Sequence, residues 1–183
     1  MAIKVTAIIG SVRKDSNNLK LVEYMKKRYA DKLDIEPLLI NELPMYNPDI
    51  EESPPQEVVD FRNKIKNADA VLFAVAEYNF SIPGSLKNAI DWLSRGGFVL
   101  RDKPAFIVGS SMGVLGSVRA QIHLREILSN PSLSPFLLPN NEVYIGSIHE
   151  KLNADNEMID SGTRGFMDQV VDNFVSFYDR MTK

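Results

Sequence analysis

Residues 68–76 read ADAVLFAVA. Past Asp69 no polar side chain interrupts the run, and its apolar character does not alternate. A strand with one wet face alternates. A strand apolar on both faces belongs in the middle of a parallel sheet, with helices covering each side. Working outward, IKVTAII (3–9) is a second buried strand, and KPAFIVGS (103–110) and NEVYIG (141–146) are two more. LDIEPLLI (33–40) is a fifth, and Pro37, which cannot donate to a ladder, places it at an edge.

Helical periods lie between these runs. Leu19, Val22, Met25 and Tyr29 share one face over residues 17–31, and Val58, Phe61 and Ile65 share another. Ser81 and Pro83 suit the start of a helix carrying Leu86, Ile90 and Leu93. A further helix spans residues 117–129. The closing helix turns Phe166, Val170, Phe174 and Phe177 or Tyr178 inward. NELPMYNPDIEESPP (41–55), with four prolines and no period, is a loop. About five strands alternating with about five helices specify an α/β three-layer sandwich around an open parallel sheet.

The 183 residues suffice for one domain over residues 1–183. A formal net charge of −3 argues against a broad nucleic-acid-binding face. The absence of cysteine excludes disulfides, thiolate nucleophiles and cysteine metal sites. No segment resembles a signal peptide, and no apolar run is long enough to span a bilayer, so cytoplasmic residence without membrane attachment is expected. His123 and His149 have no partner cluster in the sequence, and no metal is expected.

In parallel sheets ligands sit at the carboxyl ends of the strands, near a reversal of strand order. The loops there hold the unusual residues: GSVRKDSNN, AEYNFSIPG and GSSMGVLGS. In the first, Gly10 permits a sharp exit from the strand. Ser11, Ser16, Asn17 and Asn18 are short polar side chains, and Arg13 is a planar cationic fork. A helix N-terminus points at the same spot, and such a donor set suits a phosphate monoester. Asp15 is discordant and is expected to point away from the anion. In the second loop, Tyr78 offers an aromatic surface while the surrounding backbone can bond the edge of a flat heterocycle. The third, with three glycines and three serines, lets backbone approach the other side of such a ring.

Several nucleotide sites are excluded by pattern. G-x-G-x-x-G and G-x-x-x-x-G-K-[ST] are absent. A cysteine phosphatase is impossible without cysteine, and the acidic residues of a phospho-acceptor domain are missing at Gly10-Ser11 and Ala76. Glu42, past the second strand, could approach a ribose hydroxyl in a dinucleotide site, but the glycine fingerprint for one is lacking.

The residues resemble the NADPH-dependent FMN reductases of flavodoxin-like fold, whose members include quinone, azo-dye and chromate reductases. That family's G-S-x-R-x-x-S-x-N pattern is met at Gly10, Ser11, Arg13, Ser16 and Asn18, and its E-Y-N-x-S-x-P-G-x-L-K-N-A-I-D-W pattern from Glu77 to Trp92. The resemblance implies a five-stranded parallel sheet of order 2-1-3-4-5. It implies FMN, its phosphate at Ser11, Arg13, Ser16, Asn17 and Asn18, and its ring against Glu77, Tyr78 and Asn79, largely through backbone, and Ser110. It implies NADPH or NADH as donor, small-molecule acceptors such as quinones, azo compounds, free flavin or chromate taken in a ping-pong cycle, and a homodimer or homotetramer with the flavin near the subunit boundary. Two positions depart from the family pattern: Ala76 stands where proline is usual, and Ser117 where the second glycine of Gly-Gly is. The same loops would also serve a flavodoxin-like electron carrier or redox-sensing module that needs a protein partner and turns over no nicotinamide of its own.

Overall fold

The computed structural model of the chain describes residues 1–182. Five strands lie where the apolar runs are: β1 (Ile3–Ile9), β2 (Leu33–Leu38), β3 (Ala70–Val75), β4 (Pro104–Ser110) and β6 (Val143–Ile145), with a two-residue β5 (Phe136–Leu137) before the last. All pairings in the sheet are parallel, in the order β2-β1-β3-β4-β5, and β6 also pairs with β4. This is the flavodoxin-like arrangement, with a six-stranded sheet in place of five strands. The fifth position is filled twice: β5 pairs with Pro104 and Ala105 at the start of β4, and β6 with Val108, Gly109 and Ser110 at its end. Pro139 and Asn140, the latter at φ +57°, break the strand between them. β2 is the edge strand, as Pro37 requires.

Helices α1 (Asn17–Arg28) and α6 (Ser161–Met181) cover one face of the sheet, and α2 (Gln56–Asn67), α3 (Gly84–Leu93) and α4 (Val118–Leu128) the other. β3 shows why its sequence is apolar throughout. Leu72 and Ala74 enter the core with α1 and α6, while Val71, Phe73 and Val75 enter the core with α2, α3 and α4. A four-residue α5 (Ile148–Lys151) follows β6 and contains His149.

Three local expectations change. Phe166 is 42% exposed, and Met167 and Val171 are buried in its place with Val170, Phe174 and Phe177. Ser81 does not cap α3; the residue before that helix is Pro83, which offers no side-chain bond. α1 ends at Arg28, where the Tyr29 N–H closes onto Met25 O. The proline-rich loop contains a 3-10 turn at Pro48–Ile50 and is fastened to α3: Asn88 accepts from the Tyr46 N–H at 2.7 Å, and Asn88 and Trp92 both donate to Pro44 O, at 2.9 and 2.8 Å. Among the described residues no helix is long and apolar enough to cross a membrane.

Candidate functional site

β1, β3 and β4 are neighbours, so the loops leaving their carboxyl ends emerge side by side. Cross-links then join them. The Gly10 N–H donates to Ala74 O at 2.8 Å, fixing the exit of β1 against β3. Asn18 and Ser110, 92 residues apart, are bonded three ways: Asn18 Oδ1 accepts from the Ser110 N–H at 2.9 Å and hydroxyl at 3.1 Å, and Asn18 Nδ2 donates to Ser110 O at 3.4 Å. The first loop is thereby locked to the end of β4. The second is locked to α4 by Glu77, whose Oε2 accepts from the N–H groups of Arg119 at 3.0 Å and Ala120 at 3.3 Å.

Around α1 the donors are of the kind the sequence suggests. Ser16 caps the helix, its hydroxyl oxygen accepting from the Leu19 N–H at 3.2 Å. The Ser11 hydroxyl oxygen accepts from the Arg13 N–H at 3.3 Å. Both hydroxyl protons remain free to donate. The N–H groups of Asn17 and Asn18, first in the helix, have no acceptor among the described residues, as helix geometry leaves them. Asn18 is 3% exposed with its side-chain amide committed to Ser110, so it faces the loop through its N–H.

Arg13 is exposed, and its Nη2 lies 3.5 Å from Asp15. Asp15 also pairs with Lys20 at 2.6 Å, and this bond, followed by the pull of Arg13, holds its carboxyl below the usual range. Asp15 thus turns toward the cations of the loop. Sequence reasoning overlooked Lys20, because the spacing from Asp15 is not a helical pair. A groove of about 440 Å³ runs here between Arg13, Asn17 and Lys20 on one side and Met112, His149 and Asn153 on the other. A groove of about 610 Å³ between α3 and α4 includes His123 but none of the residues expected to hold the ligand.

Beyond β3 the chain makes a tight hairpin. Tyr78 and Ser81 exchange N–H···O bonds of 3.0 Å, and Asn79 and Phe80 between them both take positive φ, +51° and +67°. An aromatic residue in that region is strained, a feature that gathers at ligand sites. Tyr78 is 48% exposed, and the N–H groups of Asn79 and Phe80 have no partner among the described residues. α4 holds the hairpin from below: the Arg119 guanidinium lies 4.1 Å from the centre of the Phe80 ring, and Ser81 Oγ is 2.7 Å from His123 Nδ1. His123 therefore has a partner the sequence did not disclose. Among the described residues no three His, Cys, Asp or Glu side chains gather as a metal site.

The third loop is pinned by its own serine, by the end of β6 and by the chain just after it. Ser111 Oγ donates to Gly113 O at 2.8 Å and accepts from the Gly116 N–H at 3.2 Å. Ser111 N–H and Ser147 N–H donate to Ile145 O and Gly113 O. Gly116 at φ +59° has no room for a side chain, since a Cβ there would run into the backbone of Tyr144 and Ile145. Met112, Val114 and Leu115 are left exposed at the rim.

The loops at the ends of these neighbouring strands thus carry a set of donors suited to an anion at the start of α1, an exposed aromatic hairpin with open N–H groups, and a glycine-rich wall. The sequence matches the family described as NADPH-dependent FMN reductase over residues 3–150. The chain belongs to that family. It is therefore an oxidoreductase of the flavin-dependent, nicotinamide-using kind, on a flavodoxin-like fold. It is 38% identical over 186 residues to NADH-dependent flavin reductase subunit 2 of Lactobacillus johnsonii, covering 99% of this chain and 100% of that one. It is 36% identical over 184 residues to a quinone reductase of Escherichia coli, covering 98% and 97%. The solved structure of FerB, a flavoenzyme NAD(P)H:(acceptor) oxidoreductase from Paracoccus denitrificans, superposes with a TM-score of 0.89 at 35% identity, covering 98% of this chain and 99% of that one.

Proposed function

We propose that this chain binds FMN across the three cross-linked loops and uses NADPH or NADH to reduce small acceptors, quinones and free flavin foremost, with azo compounds and chromate as further candidates. The observation that carries the proposal is the pairwise locking at the loops: β1 to β3 through Gly10, the start of α1 to the end of β4 through Asn18 and Ser110, and the second loop to the start of α4 through Glu77. A ligand that bridges the three would meet loops already fixed relative to one another.

Arg13, the hydroxyls of Ser11 and Ser16, and the N–H groups of Asn17 and Asn18 would hold the phosphate. The N–H groups of Asn79 and Phe80 would face the ring edge, Tyr78 would flank the ring, and the third loop would back it. Ser110 contributes through its position, since its own N–H and hydroxyl bond Asn18. Bound FMN would supply the two-electron chemistry that links donor to acceptor. The chain's part is to orient that group and leave one face open, so that donor and acceptor occupy it in turn and initial-rate plots at varied acceptor run parallel. His123 and His149 need move no proton, because the face is open to water.

The chain further acts as a homodimer or homotetramer, whose partner would cover the exposed Tyr78, Phe80, Met112, Val114 and Leu115. It works in the cytoplasm, where the nicotinamide pool lies. That the Lactobacillus johnsonii relative is a subunit favours a second reading, an FMN-binding carrier whose electrons pass by way of a partner protein. One experiment tests both: an absorbance spectrum of the purified protein with FMN, before and after anaerobic NADPH, followed by addition of a simple quinone. Bound-flavin bands bleached by NADPH and restored by quinone support the enzyme; bound flavin that NADPH does not bleach supports the carrier; no bound flavin refutes both.

A further inference from the structure

Helix α4 starts without a cap of its own. Ser117, immediately before it, lies at φ +63° and makes no side-chain bond to the first turn; its hydroxyl oxygen accepts from Gln121 Nε2 at 3.3 Å instead. The free N–H groups of Arg119 and Ala120 are taken by Glu77, 42 and 43 residues earlier in the chain. These are the second and third residues of the helix, the two that a capping serine or aspartate would serve. The Glu77 side chain is only 15% exposed, and Arg119 Nη1 lies 3.7 Å from its other oxygen. A carboxylate at that end also meets the positive pole of the helix.

We infer that Glu77 is a positioning residue that caps α4 from a distance and thereby sets the gap between the loops after β3 and β4. The inference rests on the proposal that the flavin ring occupies this gap. Glu77 leaves β3 directly ahead of the Tyr78–Ser81 hairpin, and Arg119 and Ala120 follow directly on the glycine-rich loop. One side chain therefore ties both walls at their roots. The hairpin needs such a tie, since its two left-handed residues, Asn79 and Phe80, do not hold that conformation unaided. The side-chain links, Arg119 over Phe80 and Ser81 to His123, also come from α4, so releasing its first turn loosens the hairpin's ties to the helix together.

The role has a signature that a general stabilising role lacks. A wall of the ring site matters equally to FMN and to riboflavin, which lacks the phosphate, whereas the phosphate grip matters to FMN alone. The experiment is a fluorescence-quenching titration of the protein freed of flavin with both flavins, on wild type, Glu77→Ala, Glu77→Gln and Glu77→Asp, with thermal midpoints measured alongside. Glu77→Ala is expected to weaken both flavins about tenfold, the equivalent of one lost cap, leaving the FMN-to-riboflavin ratio unchanged. Glu77→Gln, which keeps an acceptor oxygen at the same reach, is expected to recover binding to within about threefold. Glu77→Asp, one methylene short, is expected to fall between, and with Glu77→Gln it carries the test if Glu77→Ala does not fold. Unchanged flavin affinities with a lowered thermal midpoint would overturn the inference and leave the binding site standing. A selective loss of FMN would overturn it too. Failure of the wild type to bind either flavin would remove the site itself and the inference with it.

Discussion

Replacing Arg13 by alanine separates the phosphate grip from the rest of the site. A hydrogen bond to a charged group contributes roughly 1.5–3 kcal/mol net. Arg13 belongs at the low end of that range, because its side chain is 57% exposed and Asp15, 3.5 Å away, already neutralises part of its charge. Taking about 1.5 kcal/mol, FMN affinity should fall about tenfold, since 1.4 kcal/mol is a factor of ten in the dissociation constant. Riboflavin affinity should not change. Asp15→Asn should act in the opposite direction: without the competing carboxylate, Arg13 and Lys20 both turn to the phosphate, and FMN should bind about twofold to threefold more tightly. Both effects should shrink as ionic strength rises, because the Debye length is only about 8 Å at 0.15 M salt. The assay is quenching of flavin fluorescence by protein freed of flavin, at low and high salt. Equal losses for FMN and riboflavin in Arg13→Ala, or no loss for either, would refute the placement of the phosphate at the start of α1.

Three further substitutions probe the scaffold. In Gly109→Ala the new Cβ would run into the Ser117 hydroxyl and stand 2.9 Å from the Val75 carbonyl, which cannot yield, so calorimetry should show a loss of about 3 kcal/mol, roughly 6–12 °C. Asn88→Ala strands the Tyr46 N–H and frees the loop over residues 39–55, with an expected cost of about 2 kcal/mol, roughly 4–8 °C, and faster proteolytic cleavage within that loop. Asp168 accepts from Arg28 twice at 2.6 Å and from the Tyr29 hydroxyl at 2.9 Å, and the Arg28 bonds above all hold its pKa below 3.8. A carboxylate depressed in the folded state stabilises it fully above the unfolded value and ceases to do so as pH falls through the folded one. The difference in thermal midpoint between wild type and Asp168→Asn should therefore be widest near neutrality and narrow as the pH falls below the ordinary aspartate range.

The sequence showed the elements whose physics is local. β3 was readable because both its faces are buried, and Pro37 marked the edge because a missing donor is a property of one residue. The split fifth strand was not readable: two and three residues are too few to carry a period, and what makes them strands is β4 alongside. Phe166 was misassigned because the buried stripe of α6 is turned toward Met167 and Val171, a rotation set by what lies beneath the helix. The same division holds at the site. Serine, asparagine and arginine after a first strand announced a polar pocket, and the structure gathers them at the start of α1. The commitment of Asn18 to Ser110, of Glu77 to α4 and of Ser81 to His123 depends on which loops the topology makes neighbours, and no spacing along the chain encodes that.

Ser117 shows how a departure from the family pattern can be absorbed. The position lies at φ +63°, where glycine costs nothing and another residue is strained by roughly 1–2 kcal/mol. Its side chain is 1% exposed, so the hydroxyl cannot turn to water. It instead fills the space where Gly109 lacks a Cβ and accepts a bond from Gln121, whose Nε2 also donates to Val143 O at 2.8 Å. A buried hydrogen bond and a filled void offset a strain of about the same size. The hydroxyl is spent in doing so, and it makes no bond to the first turn of α4. With glycine at 117 no side chain could serve as the cap either, so the trans cap does not depend on the departure. What the serine adds is a further link from the root of the third loop through Gln121 to β6, the strand whose Ile145 carbonyl already holds the Ser111 N–H and whose backbone packs against Gly116.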